Sequence, residues 1–108
     1  MDAIKRLIYS FMIRFARDDN QLLLSRIQML ESKRRGPEHV AHIDQLVAIC
    51  DREILRRALN RMSRPEAEAR LKSARKISEY LLSDDPAAPA AGDAFFGPNW
   101  RQRYLPRE

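Results

Sequence analysis

The chain has 108 residues, room for one small domain, which excludes most multidomain enzymes. Its 20 Lys and Arg against 15 Asp and Glu give a formal charge of +5, and 44% hydrophobic with 32% charged residues describes a folded globular chain. The longest uncharged run near the start, Leu7 to Ile13, lies between Arg6 and Arg14 and is far short of the roughly 20 residues that cross a bilayer. Arg14-Phe15-Ala16-Arg17-Asp18-Asp19 follows it where a secretory signal would place a small-residue cleavage site. One cysteine, Cys50, makes neither an internal disulfide nor a four-ligand zinc site. The expectation is a cytoplasmic protein without metal or cofactor.

In chain order, Ile4, Leu7, Ile8, Phe11, Met12 and Phe15 mark one face of an amphipathic helix from Asp2 to Arg17. Its polar face carries Lys5, Arg6, Arg14 and Arg17. Asp18, Asp19 and Asn20 interrupt the pattern and can cap the amides of a second helix, Gln21 to Arg35, with Leu23, Ile27 and Leu30 on one face and Leu22, Leu24 and Met29 widening it. Lys33-Arg34-Arg35 suits its C-terminal dipole, Gly36 is expected as a left-handed C-cap, and Pro37 as the first residue of the next helix.

That third helix, Pro37 to Met62, carries the stripe Val40, Ile43, Val47, Cys50, Ile54 and Ala58, flanked by Leu46, Leu55, Leu59 and Met62. Ser63-Arg64-Pro65-Glu66 is a capping box, which starts a fourth helix running to about Ser83 through Ala67, Leu71, Ala74, Ile77, Tyr80 and Leu81. Asp84-Asp85-Pro86 is expected to stop it, and the Ala/Pro stretch to residue 94 to act as a linker. Residues 95–108 then concentrate aromatic and basic side chains. No strand-period segment or internal repeat is present. The predicted fold is all-α: a small antiparallel bundle of about four helices over residues 1–83, a linker over 84–94 and an extended C-terminal tail over 95–108. The surplus of apolar helix face favours association with a protein partner or a second copy.

Signals for catalysis are absent. Three glycines, Gly36, Gly92 and Gly97, form no phosphate loop, and no Gly-x-Ser-x-Gly occurs. Asp18-Asp19 and Asp84-Asp85 stand where capping accounts for them. His39 and His42 share a helical face with no further ligand to complete a metal set, and Cys50 falls on the core stripe. Arg26, Arg52 and Arg56 are the cations that an anionic substrate would need, although their spacing does not single them out. The protein is expected not to be an enzyme.

Two binding readings remain. In the first, Phe95, Phe96, Trp100, Arg101 and Tyr104 form an aromatic and arginine anchor, the composition of binding hot spots, and grip a protein partner. The same residues can instead fold back on their own or a sister bundle, or stack on the bases of a single-stranded nucleic acid. In the second, Lys5, Arg6 and Arg14 of the first helix and Arg70, Lys72, Arg75 and Lys76 of the fourth make one basic face for nucleic-acid phosphates. An ordinary solvated face competes with this, through pairs such as Glu66 with Arg70 and Glu68 with Lys72. The first helix also has the form of a peripheral membrane-contact helix, a pattern that core packing explains more cheaply. The leading expectation is a small protein-interaction module, an adaptor, inhibitor or small subunit of a larger assembly. A basic nucleic-acid-binding protein is the alternative.

Overall fold

The computed structural model describes residues 13, 17–36 and 40–105. Of the first expected helix only Ile13 and Arg17 are among these, so Lys5, Arg6 and Arg14 lie outside the described residues. The described chain is an all-α bundle without strands. Its helices are α1 (Asp19–Arg35), α2 (Val40–Leu59), α3 (Arg64–Leu81), α4 (Ala88–Phe96) and α5 (Trp100–Tyr104). The first three pack against one another, and α4 rests on α1 and α3.

Local chemistry sets the boundaries. Asp18 caps α1 by accepting the Gln21 N–H at 2.9 Å, while Asp19 in the first turn and Lys33 to Arg35 in the last complement the dipole. Gly36 corrects the expected left-handed cap: its φ is −129°, and its N–H closes the last turn onto the Ser32 carbonyl at 2.9 Å. A residue that precedes proline, as Gly36 precedes Pro37, is steered toward extended backbone. α2 ends at Leu59 rather than Met62, because the capping residue Ser63 must itself be extended, at φ −65° and ψ 163°. The turn closes with the Arg61 and Met62 amides both on the Ala58 carbonyl. The capping box at Ser63 and Glu66 forms as the sequence predicts, with Pro65 in the first turn of α3.

The segment expected as a linker is instead helical from Ala88. Asp85 does not simply stop α3; its carboxylate accepts the Ala87 N–H at 2.8 Å and its carbonyl the Ala88 N–H at 3.0 Å, a turn that launches α4. Pro89 falls in the first turn, where no backbone donor is required. Gly97, at φ +94°, and Asn99, at φ 60°, then reverse the chain into α5, both residue types that accept positive φ.

Two apolar clusters form on either side of α1. Leu22 joins Ile13, Cys50 and Ile54 in the first, with Met29, Ile49 and Leu71 against it. Its sequence neighbour Leu23 joins Ile27, Leu81 and Trp100 in the second, covered by Ile77, Ala91, Phe96, Tyr104 and Leu105. Adjacent helical residues point about 100° apart, so the neighbouring Leu22 and Leu23 of α1 serve one cluster each. Ala74 of α3 packs on both clusters.

Asp51 of α2 adds a charged tie among the long helices. Its carboxylate receives Arg26 Nε of α1 at 2.8 Å and Arg75 Nε of α3 at 3.2 Å. Arg26 is 6% exposed and its Nη1 has no hydrogen-bond partner, so Asp51 is what compensates the buried guanidinium. Removing one member of such a pair leaves an uncompensated charge. Asp51→Asn is expected to lower the unfolding free energy by about 3 kcal/mol, with little change in the urea m-value. Replacing the pair with apolar residues of similar volume, Arg26→Met with Asp51→Leu, is expected to recover most of that loss in the same urea titration.

Candidate functional site

The aromatic C-terminal segment folds back on its own bundle. Trp100 is 1% exposed. Its indole lies directly over Gly92 of α4, where a Cβ would stand 2.1 Å from the indole nitrogen. That N–H donates to the Pro89 carbonyl at 2.9 Å. Phe96 packs on the indole at a centroid distance of 5.4 Å and on Phe95 at 5.9 Å. Arg101 lies 5.5 Å from the Trp100 ring centroid and donates to the Leu81 carbonyl at 2.6 Å and to the Ser83 carbonyl at 3.3 Å, satisfying the open end of α3. Tyr104 is half-buried.

Side chains of α1 tie down further carbonyls in the C-terminal half. Asn20 donates to Phe95 at 3.1 Å, Gln28 to Tyr104 at 2.8 Å and Arg34 to Leu82 at 3.0 Å. Three of these acceptors stand at the C-terminal ends of α3, α4 and α5, where helices leave carbonyls unpaired. Of the five residues expected to form the anchor, Trp100 and Arg101 are therefore committed to the protein's own fold. Phe95 is not: it is 38% exposed, and among the described residues Tyr80 of α3, at 40%, is the other large apolar residue left open.

Phe95 lies beside a cleft. The opening is about 600 Å³ and lies where α1 begins and α2 ends, lined by Arg17, Asp18, Asp19, Asn20, Arg57, Asn60 and Arg61. Asn20 belongs both to this lining and to the bond that holds the Phe95 backbone. Asp19 accepts Arg61 at 2.9 Å and Arg70 at 3.0 Å, so two cations are fixed around one carboxylate. Arg17 is exposed. The cleft had no sequence signature, because its residues come from two helix ends about forty positions apart.

Of the expected basic face, the α3 members are all exposed: Arg70 pairs with Asp19 and Arg75 with Asp51, and Lys72 and Lys76 lie on the same helix. The expected helical pairs of Glu66 with Arg70 and Glu68 with Lys72 are replaced. Glu66 reaches back to Ser63 in the capping box, and Glu68 pairs with Arg64 at 3.5 Å. Nor do Arg26, Arg52 and Arg56 form a clamp: Arg26 is held by Asp51, Arg56 by Glu53 at 2.6 Å, and Arg52 is exposed.

No group of three or more His, Cys, Asp or Glu side chains is arranged to hold a metal among the described residues. His42 is half-buried, and His39 lies outside those residues. No helix among them is long and apolar enough to cross a membrane. Comparison of the chain with protein-family models, with curated proteins and with solved structures gives no match.

Among the described residues, surroundings move the ionisation of Cys50 and Glu53 furthest. Cys50 is pushed up to about 12, first by burial and then by the neighbouring Asp51 carboxylate. Its thiol is therefore protonated and enclosed at neutral pH. A thiol-specific disulfide reagent is expected to leave the native protein unmodified and to react fully once urea unfolds it. Glu53 moves the other way, from 4.5 to about 2, chiefly through its hydrogen bonds with Arg56, aided by Arg57. A carboxylate depressed in the folded state stabilises above its unfolded value, and the contribution disappears as pH falls from about 4.5 to about 2. Glu53→Gln is expected to flatten the pH dependence of stability in that window, lowering the urea midpoint at pH 7 and leaving it nearly unchanged at pH 2.

Proposed function

We propose that this protein is a small non-enzymatic protein-interaction module whose contact surface centres on Phe95 and the cleft beside it. The observation that carries this reading is an exposed aromatic side chain whose helix is fixed next to an arginine-lined opening. Aromatic residues and arginine are the side chains most enriched at binding hot spots. The Asn20 bond and the packed Phe96 and Trp100 hold the Phe95 backbone in place before any partner arrives. Less ordering entropy is then lost on binding. Compared with the sequence expectation, the grip narrows from the five-residue anchor to Phe95, with Phe96 half-exposed next to it. An adaptor, an inhibitor and a small subunit all use such a surface, and the cytoplasm remains the proposed location.

The basic nucleic-acid reading draws on the exposed cations of α3, Lys72 and Lys76 together with Arg70 and Arg75, which stay solvent-exposed while paired with Asp19 and Asp51. Salt and nuclease separate the two, since phosphate contacts weaken by about 0.9 log units per log unit of salt for each phosphate neutralised. The test places a photo-crosslinking phenylalanine analogue at position 95 and, as a control, at position 68 on α3. Both full-length chains are irradiated in native-host extract treated with nuclease. A protein adduct formed from position 95 and not from 68, and retained at raised salt, is the expected result. Phe95→Ala is expected to keep the thermal midpoint of the parent and to weaken binding of the captured protein by about 2 kcal/mol, roughly thirtyfold in affinity. Recovery of nucleic acid from a parallel extract not treated with nuclease, released by moderate salt and indifferent to Phe95→Ala, would instead favour the basic α3 face.

A further inference from the structure

The two apolar clusters depend on the C-terminal segment to different degrees. The first, around Leu22, Cys50 and Ile54, contains no residue of α4 or α5. The second is closed by Trp100 and roofed by Ala91, Phe96 and Tyr104, all from that segment. The segment is also cohesive by itself. Trp100 seats on Gly92, its indole N–H holds the Pro89 carbonyl, and Phe95, Phe96 and Trp100 stack in sequence. Gly97 donates back to the Asp93 carbonyl at 2.9 Å. What holds the segment to the bundle is the second apolar cluster and a few side-chain donors on carbonyls, from Asn20 and Gln28 on one side and Arg101 on the other. It is joined to α3 by residues 82–87, of which Asp84 to Ala87 are exposed.

We infer that α4 and α5 form a closure element that opens and closes on the bundle as one body, at lower denaturant than the bundle itself unfolds. Opening removes the cover of Leu23, Ile27 and Leu81 in one step but leaves the first cluster intact, which is the physical definition of a separately cooperative unit. It also frees Trp100 and Arg101, which the closed form commits to the core and to the carbonyls that end α3. A ligand that engaged those residues would therefore bind only the open fraction, with its apparent affinity reduced by that fraction. This inference rests on packing alone and stands whether or not Phe95 contacts a partner.

The chain carries its own probes, because its one tryptophan lies in the closure element and its one cysteine in the first cluster. The experiment follows Trp100 emission with acrylamide quenching, and Cys50 reactivity toward a thiol reagent, through a urea titration of the full chain. The Trp100 signal is expected to shift to the red and become quenchable at urea concentrations where Cys50 is still protected. Gly92→Ala sharpens the test. Alanine suits the interior of α4 better than glycine does, so any loss must come from its collision with the indole. It is expected to open Trp100 at lower urea, or in buffer alone, with the Cys50 transition unmoved. Gln28→Ala, a milder change that removes only the bond to Tyr104, is expected to move the Trp100 curve in the same direction by less. Coincident Trp100 and Cys50 transitions in the parent, or equal displacement of both in either variant, would overturn the inference.

Discussion

One aromatic ring closes the second half of the core. Three helices of this length cannot cover α1 on all sides, and the face carrying Leu23 and Ile27 would meet water if the chain ended with α3. Trp100 fills that position because Gly97 and Asn99 turn the chain back and because Gly92 offers no Cβ to the indole. A buried aromatic of this size, truncated to alanine, typically costs 3–5 kcal/mol, a large share of the stability that a domain this small can have. The local features of the C-terminal half serve this placement. Asp85 starts α4, Pro89 gives its carbonyl to the indole N–H, and Arg101 takes the open carbonyls after α3.

Polar groups divide the remaining work unequally. Exposed pairs such as Arg64 with Glu68 contribute at most about 1 kcal/mol each. The Asp51 junction is different in kind, because Arg26 is buried and would be left with an uncompensated charge without it. By fixing one point on each of α1, α2 and α3, Asp51 sets their register where apolar contacts alone tolerate sliding. Asp19 repeats the arrangement near the surface with Arg61 and Arg70, and so positions the wall of the cleft beside Phe95. Arg70 and Arg75, which looked in sequence like part of a face for phosphates, are each paired with a carboxylate while staying solvent-exposed.

These arrangements change what the aromatic tail can do. A residue that seals the core cannot also be offered to a partner without breaking that seal, so Trp100 and Arg101 act first on the protein's own stability. Phe95, one residue from Phe96 and on the outer side of the same short helix, escapes this conflict. Its rigid presentation next to an arginine-lined opening is a by-product of the same docking. Stability and the proposed contact surface thus depend on one arrangement, the docking of α4 and α5 on the bundle.

The sequence by itself determined the all-α class, the long helices and the Ser63 capping box, because helical periodicity and cap chemistry act over three or four residues. It also placed Cys50, Ile54, Leu22 and Ile27 in the interior, since stripe position reports which face turns inward. What it could not show was which of two faces each leucine of α1 serves, that Asp51 is buried between two arginines, or that an Ala/Pro stretch becomes a helix. Each of these depends on a partner distant in the chain: Leu23 meets Trp100, Asp51 meets Arg26, and α4 is held by contacts with α1 and α3 as well as by its own hydrogen bonds. Composition signalled that the aromatic tail had a purpose. Only the tertiary structure separated the ring that closes the core from the ring that faces out, because burial is a property of the assembled surface and not of the residue.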